Sequence, residues 1–266
     1  MLLKLKRNKM KINNLKCEIK NKISHNGKVG LILLATDQIT LYEFEGIFKD
    51  LGILCFPSRV MNEVELTPSV LLKIKDELKN ATNTLLPGLT LDAVAFSCTS
   101  ASMTIGEHEV ARIIKQSDPK REIKEVTNPY SAIKNACAYL EIKEVGLITP
   151  YSKDVTQGII DGMKDAGIKT SCASTFNIPN DNVVPDITIF SIKEAVIQMA
   201  KENEVDTIFV SCTNLNICKE INNLEEITGK TILSSNQVMA WDILRLLDNK
   251  KKISGFGKLF FEKDKK

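Results

Sequence analysis

Short apolar segments alternate with amphipathic segments of helical length along most of the chain. Runs rich in aliphatic and β-branched residues predict strands, and the segments with one polar face predict helices. The predicted strands span 29–35, 52–57, 92–97, 123–126, 145–149, 169–173, 206–211 and 230–234, and the predicted helices span 40–51, 67–81, 106–118, 129–140, 153–166, 191–203, 216–227 and 236–248. Strands that are apolar on both faces and alternate with helices are typical of parallel sheets covered by helices.

The chain repeats itself once, with an offset of 114 to 116 residues. Val29-Gly-Leu-Ile recurs at Val145, and Lys49-Asp-Leu-Gly-Ile recurs with one change at Lys164. The strand ending in Ser-Cys-Thr99 recurs with the same ending at Thr213. Three matches in the same order predict two α/β halves related by a pseudo-twofold axis. We assign residues 28–127 plus 230–255 to the first half, 128–229 to the second, and 1–27 to a basic N-terminal extension.

Each half places a cysteine where a buried strand is expected to end. Ser97-Cys98-Thr99-Ser100 and Ser211-Cys212-Thr213-Asn214 precede small polar residues that are able to start a helix. The carboxyl ends of parallel strands are where α/β proteins bind ligands. A thiol beside free backbone N–H groups and a helix N-terminus is expected to have a lowered pKa. The pattern therefore predicts two thiols on opposite sides of one small molecule, suited to acid–base or covalent chemistry.

Composition narrows the class of protein. The 266 residues are 43% hydrophobic and 26% charged, which is ordinary for a globular protein. Residues 1–27 carry a net charge of +7 and the rest carries −4, so the main body is not expected to bind nucleic acid. No apolar run is long enough to predict a membrane helix. Seven cysteines without a CxxC pair and only two histidines favour a reducing cytoplasm and disfavour disulfides or a metal site.

Several short motifs resemble the aspartate/glutamate racemase superfamily, and specifically its maleate cis–trans isomerase and arylmalonate decarboxylase branch. The resemblance covers about residues 28–250. It is carried by Gly30-Leu-Ile-Leu-Leu-Ala-Thr-Asp37, Ser58-Arg59-Val60, Cys98-Thr99-Ser100, Thr149-Pro150-Tyr151, Asp181-Asn182, Ser211-Cys212-Thr213 and Ser235-Asn236-Gln237. It implies two Rossmann-like halves, an active site in the cleft between them, no cofactor or metal, and association into a homodimer or larger assembly.

The resemblance also implies roles for individual residues. Cys98 would add to the alkene of a small carboxylic acid, and Cys212 would protonate the neighbouring carbon and later recover the proton. The remaining candidate substrate-binding residues are Asp37, Thr99, Ser100, Tyr151, Asn182, Thr213 and Asn214. The expected activity is therefore a cofactor-independent isomerisation of a maleate-like acid.

Asp37 departs from the isomerase pattern, which has Asn at that position. An ionised Asp would repel a dicarboxylate at short range, whereas a protonated Asp, or a substrate with an amino group, would avoid that repulsion. This segment is more similar to the ectoine-utilisation branch. Two alternatives to the isomerase stay open: an amino-acid or hydantoin racemase that uses the same two thiols, and a non-catalytic binding protein of the same fold.

Overall fold

The computed structural model describes residues 12–19 and 23–261, so most of the basic extension lies outside the described residues. Eight strands form in these ranges: β1 (Gly27–Leu34), β2 (Ile53–Val60), β3 (Leu91–Ser97), β4 (Ile123–Thr127), β5 (Glu144–Thr149), β6 (Lys169–Thr175), β7 (Thr207–Val210) and β8 (Thr231–Ser234). They build two four-stranded parallel sheets, ordered β2-β1-β3-β4 and β6-β5-β7-β8. The identical order confirms the internal repeat and the α/β fold expected from the sequence.

Helices surround both sheets. Within the described residues they are α1 (Thr40–Ile47), α2 (Pro68–Lys73), α3 (Lys75–Thr84), α4 (Thr99–Ile105), α5 (Glu107–Lys115), α6 (Pro129–Leu140), α7 (Lys153–Asp165), α8 (Ile189–Glu202), α9 (Ile221–Thr228) and α10 (Ser235–Leu246). Local chemistry sets several starts: Asn128 caps α6 ahead of Pro129, and Ser234 forms a capping box with Gln237 at α10. A helix start after Cys98 was expected, but the predicted bounds began only at residue 106, because the Thr-Ser-Ala-Ser-Met-Thr run of α4 has no apolar period.

The repeated Val-Gly-Leu-Ile motif has a packing reason. Gly30 lies in β1 and Gly146 lies in β5, the two strands that are central in their sheets. A Cβ atom at Gly30 would lie 2.7 Å from Leu85 Cδ1, and one at Gly146 would lie 2.7 Å from Met199 Sδ. Leu85 and Met199 would therefore have to shift to admit a Cβ atom, so glycine lets buried apolar side chains pack directly on these strands.

One part of the expected division between the halves is wrong. Residues 230–255 were assigned to the first half, but strand β8 pairs with β7 and belongs to the second sheet. Its apolar residues Ile232 and Leu233 are fully buried there. Helix α10 then packs against α6 as well as against α1 and β3 of the first half. The division at residue 127 remains a prediction.

Hydrogen bonds join the two halves at the carboxyl ends of the central strands. The amide N–H of Gln38, just after β1, donates to Asn214 Oδ1 over 2.9 Å. The hydroxyl of Thr213 donates to the carbonyl of Ser97 over 3.4 Å. Because these loops follow β1, β3 and β7, the strand ends of the two sheets face each other across one cleft.

Candidate active site

The thiol of Cys98 lies at the start of helix α4, directly after strand β3. Cys98 is the N-cap residue, and its Sγ accepts a hydrogen bond from the Ala101 N–H over 3.4 Å. The Ser100 hydroxyl lies 3.6 Å from the same sulfur. The Cys98 side chain is buried, with 2% of the residue exposed. Strand β3 and the first turn of α4 therefore hold this sulfur in a defined position.

The thiol of Cys212 occupies the matching place after strand β7. Its Sγ accepts a hydrogen bond from the Asn214 N–H over 3.3 Å, and the residue is also buried. The phenol of Tyr151, which follows β5, lies close enough to this sulfur to oppose the rise in the pKa of Cys212. The sulfurs of Cys98 and Cys212 both raise the pKa of Tyr151 when they are charged, so the phenol lies near both sulfur atoms. The two cysteines predicted to act together are thus gathered around one tyrosine.

The expectation of a lowered thiol pKa is wrong for this structure. Burial raises the pKa of Cys98 to about 12 and raises the pKa of Cys212 well above its ordinary value. The N–H and O–H donors at each sulfur oppose this effect but do not overcome it. The charge of Asp181 raises both thiol pKa values further. Both thiols are therefore protonated at neutral pH until a bound molecule changes their surroundings.

Asp37 lies beside this group and caps helix α1. Its Oδ1 accepts the N–H groups of Ile39 and Thr40 over 3.1 and 3.0 Å, and its Oδ2 accepts the Thr40 hydroxyl over 2.6 Å. Burial raises the pKa of Asp37 from 3.8 to about 6, and repulsion by Asp181 contributes. Arg59 does not neutralise it, because its guanidinium donates to the carbonyls of Leu34 and Asp37.

Asp181 is the buried acid that the sequence-based choice of residues missed. Its carboxylate accepts the hydroxyl of Thr36, and burial raises its pKa. The neighbouring Asn182, which was chosen instead, is exposed; its N–H bonds to Asn180 and its carbonyl to Gln38. The structure therefore does not bring Asn182 to the thiols. Hydrophobic residues do not recur at regular spacing in this loop, so the sequence does not indicate which of two adjacent residues faces inward.

The other predicted residues cluster at the site, but most of their polar atoms bond to protein. The Thr99 hydroxyl donates to Ser235 Oγ over 2.7 Å, and so is held by α10. The Asn214 side chain donates to the carbonyls of Thr36 and Asp181 over 3.2 and 3.0 Å. Of the predicted hydroxyls, that of Ser100 directly contacts a catalytic candidate. Thr99 and Asn214 thus organise the loops around the thiols.

Glu43 is a second buried acid that sequence reasoning did not assign to the site. Its Oε1 accepts the N–H groups of Ile217 and Cys218, each over 2.7 Å. Its Oε2 accepts the Asn236 amide over 2.7 Å and the Cys218 thiol over 3.1 Å. Asn236 also donates to the carbonyl of Thr213, next to Cys212. Glu43, on helix α1 of the first half, therefore fixes the Cys212 loop of the second half.

The described residues contain neither a metal-binding cluster nor a membrane-spanning helix. In residues 12–19 and 23–261, no group of three or more His, Cys, Asp or Glu side chains is arranged to hold a metal ion. Over the same ranges, none of the helices combines the length and the apolar composition that crossing a membrane requires.

Two facing parallel sheets with a buried cysteine at each matching strand end define a two-half, paired-cysteine α/β protein. The family model described as arylmalonate decarboxylase matches residues 58–260, and the chain belongs to that family. A maleate isomerase of Geobacillus stearothermophilus is 23% identical over 208 residues, which cover 77% of this chain and 82% of that protein.

Two solved structures share the fold. The maleate isomerase of Pseudomonas putida S16 has a TM-score of 0.78 at 19% identity, covering 88% of this chain and 98% of the other. A mutant maleate cis–trans isomerase of Nocardia farcinica with a covalently bound succinylcysteine intermediate has a TM-score of 0.80 at 18% identity, with the same coverage.

Proposed function

We propose that the chain is a cofactor-independent cis–trans isomerase of a small unsaturated carboxylic acid. The observation that carries this proposal is that Cys98 and Cys212 lie at matching strand ends, with the buried phenol of Tyr151 near both sulfur atoms. The similar proteins named as maleate isomerases, and the succinylcysteine intermediate in one of their structures, support it. The substrate class is a short acid with a carbon–carbon double bond conjugated to its carboxyl groups.

In the proposed reaction, the Cys98 thiol loses its proton to solvent as the substrate binds. The resulting thiolate adds to one alkene carbon, and Cys212 gives its proton to the other. The Ala101 N–H and the Ser100 hydroxyl, which already contact the Cys98 sulfur, stabilise the thiolate. Rotation about the new single bond follows. Cys212 then recovers the proton, the carbon–sulfur bond breaks, and the trans acid forms.

All the site residues assigned from the resemblance except the exposed Asn182 remain part of this proposal. Tyr151 and Thr213 provide hydroxyl donors for a substrate carboxylate, Thr213 after releasing the Ser97 carbonyl, and Ser100 stays in contact with the Cys98 sulfur. Thr99 and Asn214 act through their bonds to Ser235 and to the loops after β1 and β6.

The first experiment is mass spectrometry of the whole protein and its peptides after incubation with maleate and a panel of small unsaturated acids. We expect an adduct on Cys98 and release of the trans isomer into solution. Cys98→Ala and Cys212→Ala should each lower kcat by a factor of about 10³ or more. Cys137→Ala is the matched control, because Cys137 is a buried cysteine of helix α6 with no role in the mechanism. Near-normal turnover in either active-site variant would refute the two-thiol mechanism.

We also propose that the protein works in the reducing cytoplasm and assembles as a homo-oligomer. The seven cysteines are all free, which supports a reducing compartment. The oligomer is implied by the family resemblance, and light scattering coupled to size-exclusion chromatography tests it. Fluorescent tagging of the whole chain in its host cell tests the location.

A further inference from the structure

Two buried acids lie beside the thiol loops without a compensating cation. The Thr40 hydroxyl that donates to Asp37 also contacts Ser97, the residue before Cys98. Asn214, whose N–H donates to Cys212 Sγ, also donates its side-chain amide to the Asp181 carbonyl. Asp37 and Asp181 are each 3% exposed, and both raise the pKa of Cys98 by their charge. Among residues 12–19 and 23–261, no Lys, Arg or His side chain forms an ion pair with either carboxyl group. A substrate with a carboxylate at both ends would place negative charge against these acids in a site of low dielectric.

A third hydrogen-bond acceptor next to these acids has no donor. The Asn62 amide nitrogen donates to Thr36 Oγ1 over 3.0 Å and to the Glu63 carbonyl over 2.9 Å. Because a carbonyl can only accept, these contacts fix which end of the Asn62 amide is nitrogen. The other end, Oδ1, is buried and has no hydrogen-bond partner. Thr36 in turn donates to Asp181, so the half-buried Asn62 amide is connected to Asp181 through one hydroxyl group.

We propose that the substrate is a monoamide of a cis-unsaturated diacid, with one carboxylate and one primary carboxamide. This inference rests on the proposed isomerase function and specifies its substrate. The carboxamide N–H groups donate to the carboxyl groups of Asp181 and Asp37. The carboxylate lies at the other end, toward the hydroxyls of Ser100 and Tyr151.

Reactivity selects a carboxamide over an ammonium group. An amide carbonyl conjugated to the alkene keeps it electrophilic, whereas a saturated ammonium-bearing carbon would not activate it for thiol addition. After the Cys98 thiol has lost its proton to solvent, its sulfur electron pair forms the carbon–sulfur bond, and the alkene electron pair takes the proton of Cys212. Reversal after rotation restores both residues, so maleamate becomes fumaramate without any co-reactant.

The test compares kcat/KM for maleamate and maleate with the full-length protein, followed by proton NMR of the alkene signals. We expect wild type to prefer maleamate by about tenfold or more. Asp181→Asn should reduce this preference by about tenfold, and Asp37→Asn should reduce it in the same direction. At position 181, Asn keeps an oxygen that can accept the Thr36 hydroxyl. At position 37, Asn keeps an oxygen that can accept the N–H groups of Ile39 and Thr40 at the start of α1. Asp206→Asn is the matched control, because that acid is fully exposed, and its preference should equal wild type.

Each outcome decides one of the two proposals. The monoamide proposal is overturned if wild type uses maleate as well as or better than maleamate, or if the substrate preference is unchanged in Asp181→Asn. Either result leaves the proposed isomerase activity intact. If neither acid is turned over and no Cys98 adduct forms, the isomerase fails. A binding measurement then tests the monoamide proposal separately, with saturated analogues of the two substrates. Succinamate should protect Cys98 and Cys212 from alkylation at concentrations about tenfold lower than succinate does. Equal protection, or better protection by succinate, overturns it.

Discussion

The buried carboxyl group of Asp37 is expected to make stability depend on pH. The pKa of Asp37 rises from 3.8 to about 6 on folding, because burial disfavours its charged form. The folded protein therefore holds this proton more tightly than the unfolded chain does. The stabilisation by protonated Asp37 is fully present below pH 3.8 and is lost as the pH rises through about 6. A rise of this size corresponds to about 3 kcal/mol.

Asp37→Asn removes this titration and keeps the shape of the side chain. Its Oδ1 can still accept the N–H groups of Ile39 and Thr40, so the cap of α1 remains. We expect the stability of the variant relative to wild type to increase by about 2.4 kcal/mol between pH 4 and pH 8. Urea unfolding of both proteins across this range measures the difference.

The control for this prediction is Asp206→Asn, whose carboxyl group is exposed to solvent. Its stability difference from wild type should stay constant across the same pH range. A pH-independent difference for Asp37→Asn would refute the reasoning, because it would mean that the folded and unfolded states bind the Asp37 proton equally. A difference that grows in favour of wild type with rising pH would show that the ionised form is the stabilised one.

Two further predictions concern the thiols and the loop that carries one of them. Iodoacetamide should alkylate exposed Cys17 much faster than Cys98 near neutral pH, and peptide mass spectrometry reads both rates; a fast Cys98 would contradict its pKa of about 12. Glu43→Gln should destabilise by about 2 kcal/mol in urea unfolding and lower turnover, because an amide nitrogen would face the Cys218 and Asn236 donors. Exposed Glu45→Gln, on the same helix, should do neither, and equal effects would refute a specific role for Glu43.

The fold was predictable because it depends on patterns that are local or repeated. Helix α6 begins and ends at the predicted residues, since Asn128 and Pro129 form its N-terminus and the αL residue Glu141 ends it. The bounds of helix α4 were missed because its stability comes from burial of small polar residues such as Thr99 and Ser102 against other helices. Strand β8 was predicted as a strand, but pattern alone does not say which sheet it joins.

The site was predictable as far as the repeat reached. Cys98 and Cys212 were found because the repeat aligns them, and Asp37 was found because it breaks a family pattern. Asp181, Glu43 and Asn62 were missed because each acts through contacts with residues distant in sequence. The raised thiol pKa values also escaped prediction, since burial depends on both halves closing over the loops.

The acids explain why the two thiols stay protonated in the resting site. Asp181 raises the pKa of both Cys98 and Cys212, so each sulfur stays protonated while the site is empty of substrate. A bound N–H donor that pairs with Asp181 would weaken this repulsion and lower the thiol pKa values at the moment when an alkene is present. A bound dianion would raise them further. The same carboxyl group that selects the substrate would thus also restrict thiolate formation to the correct complex.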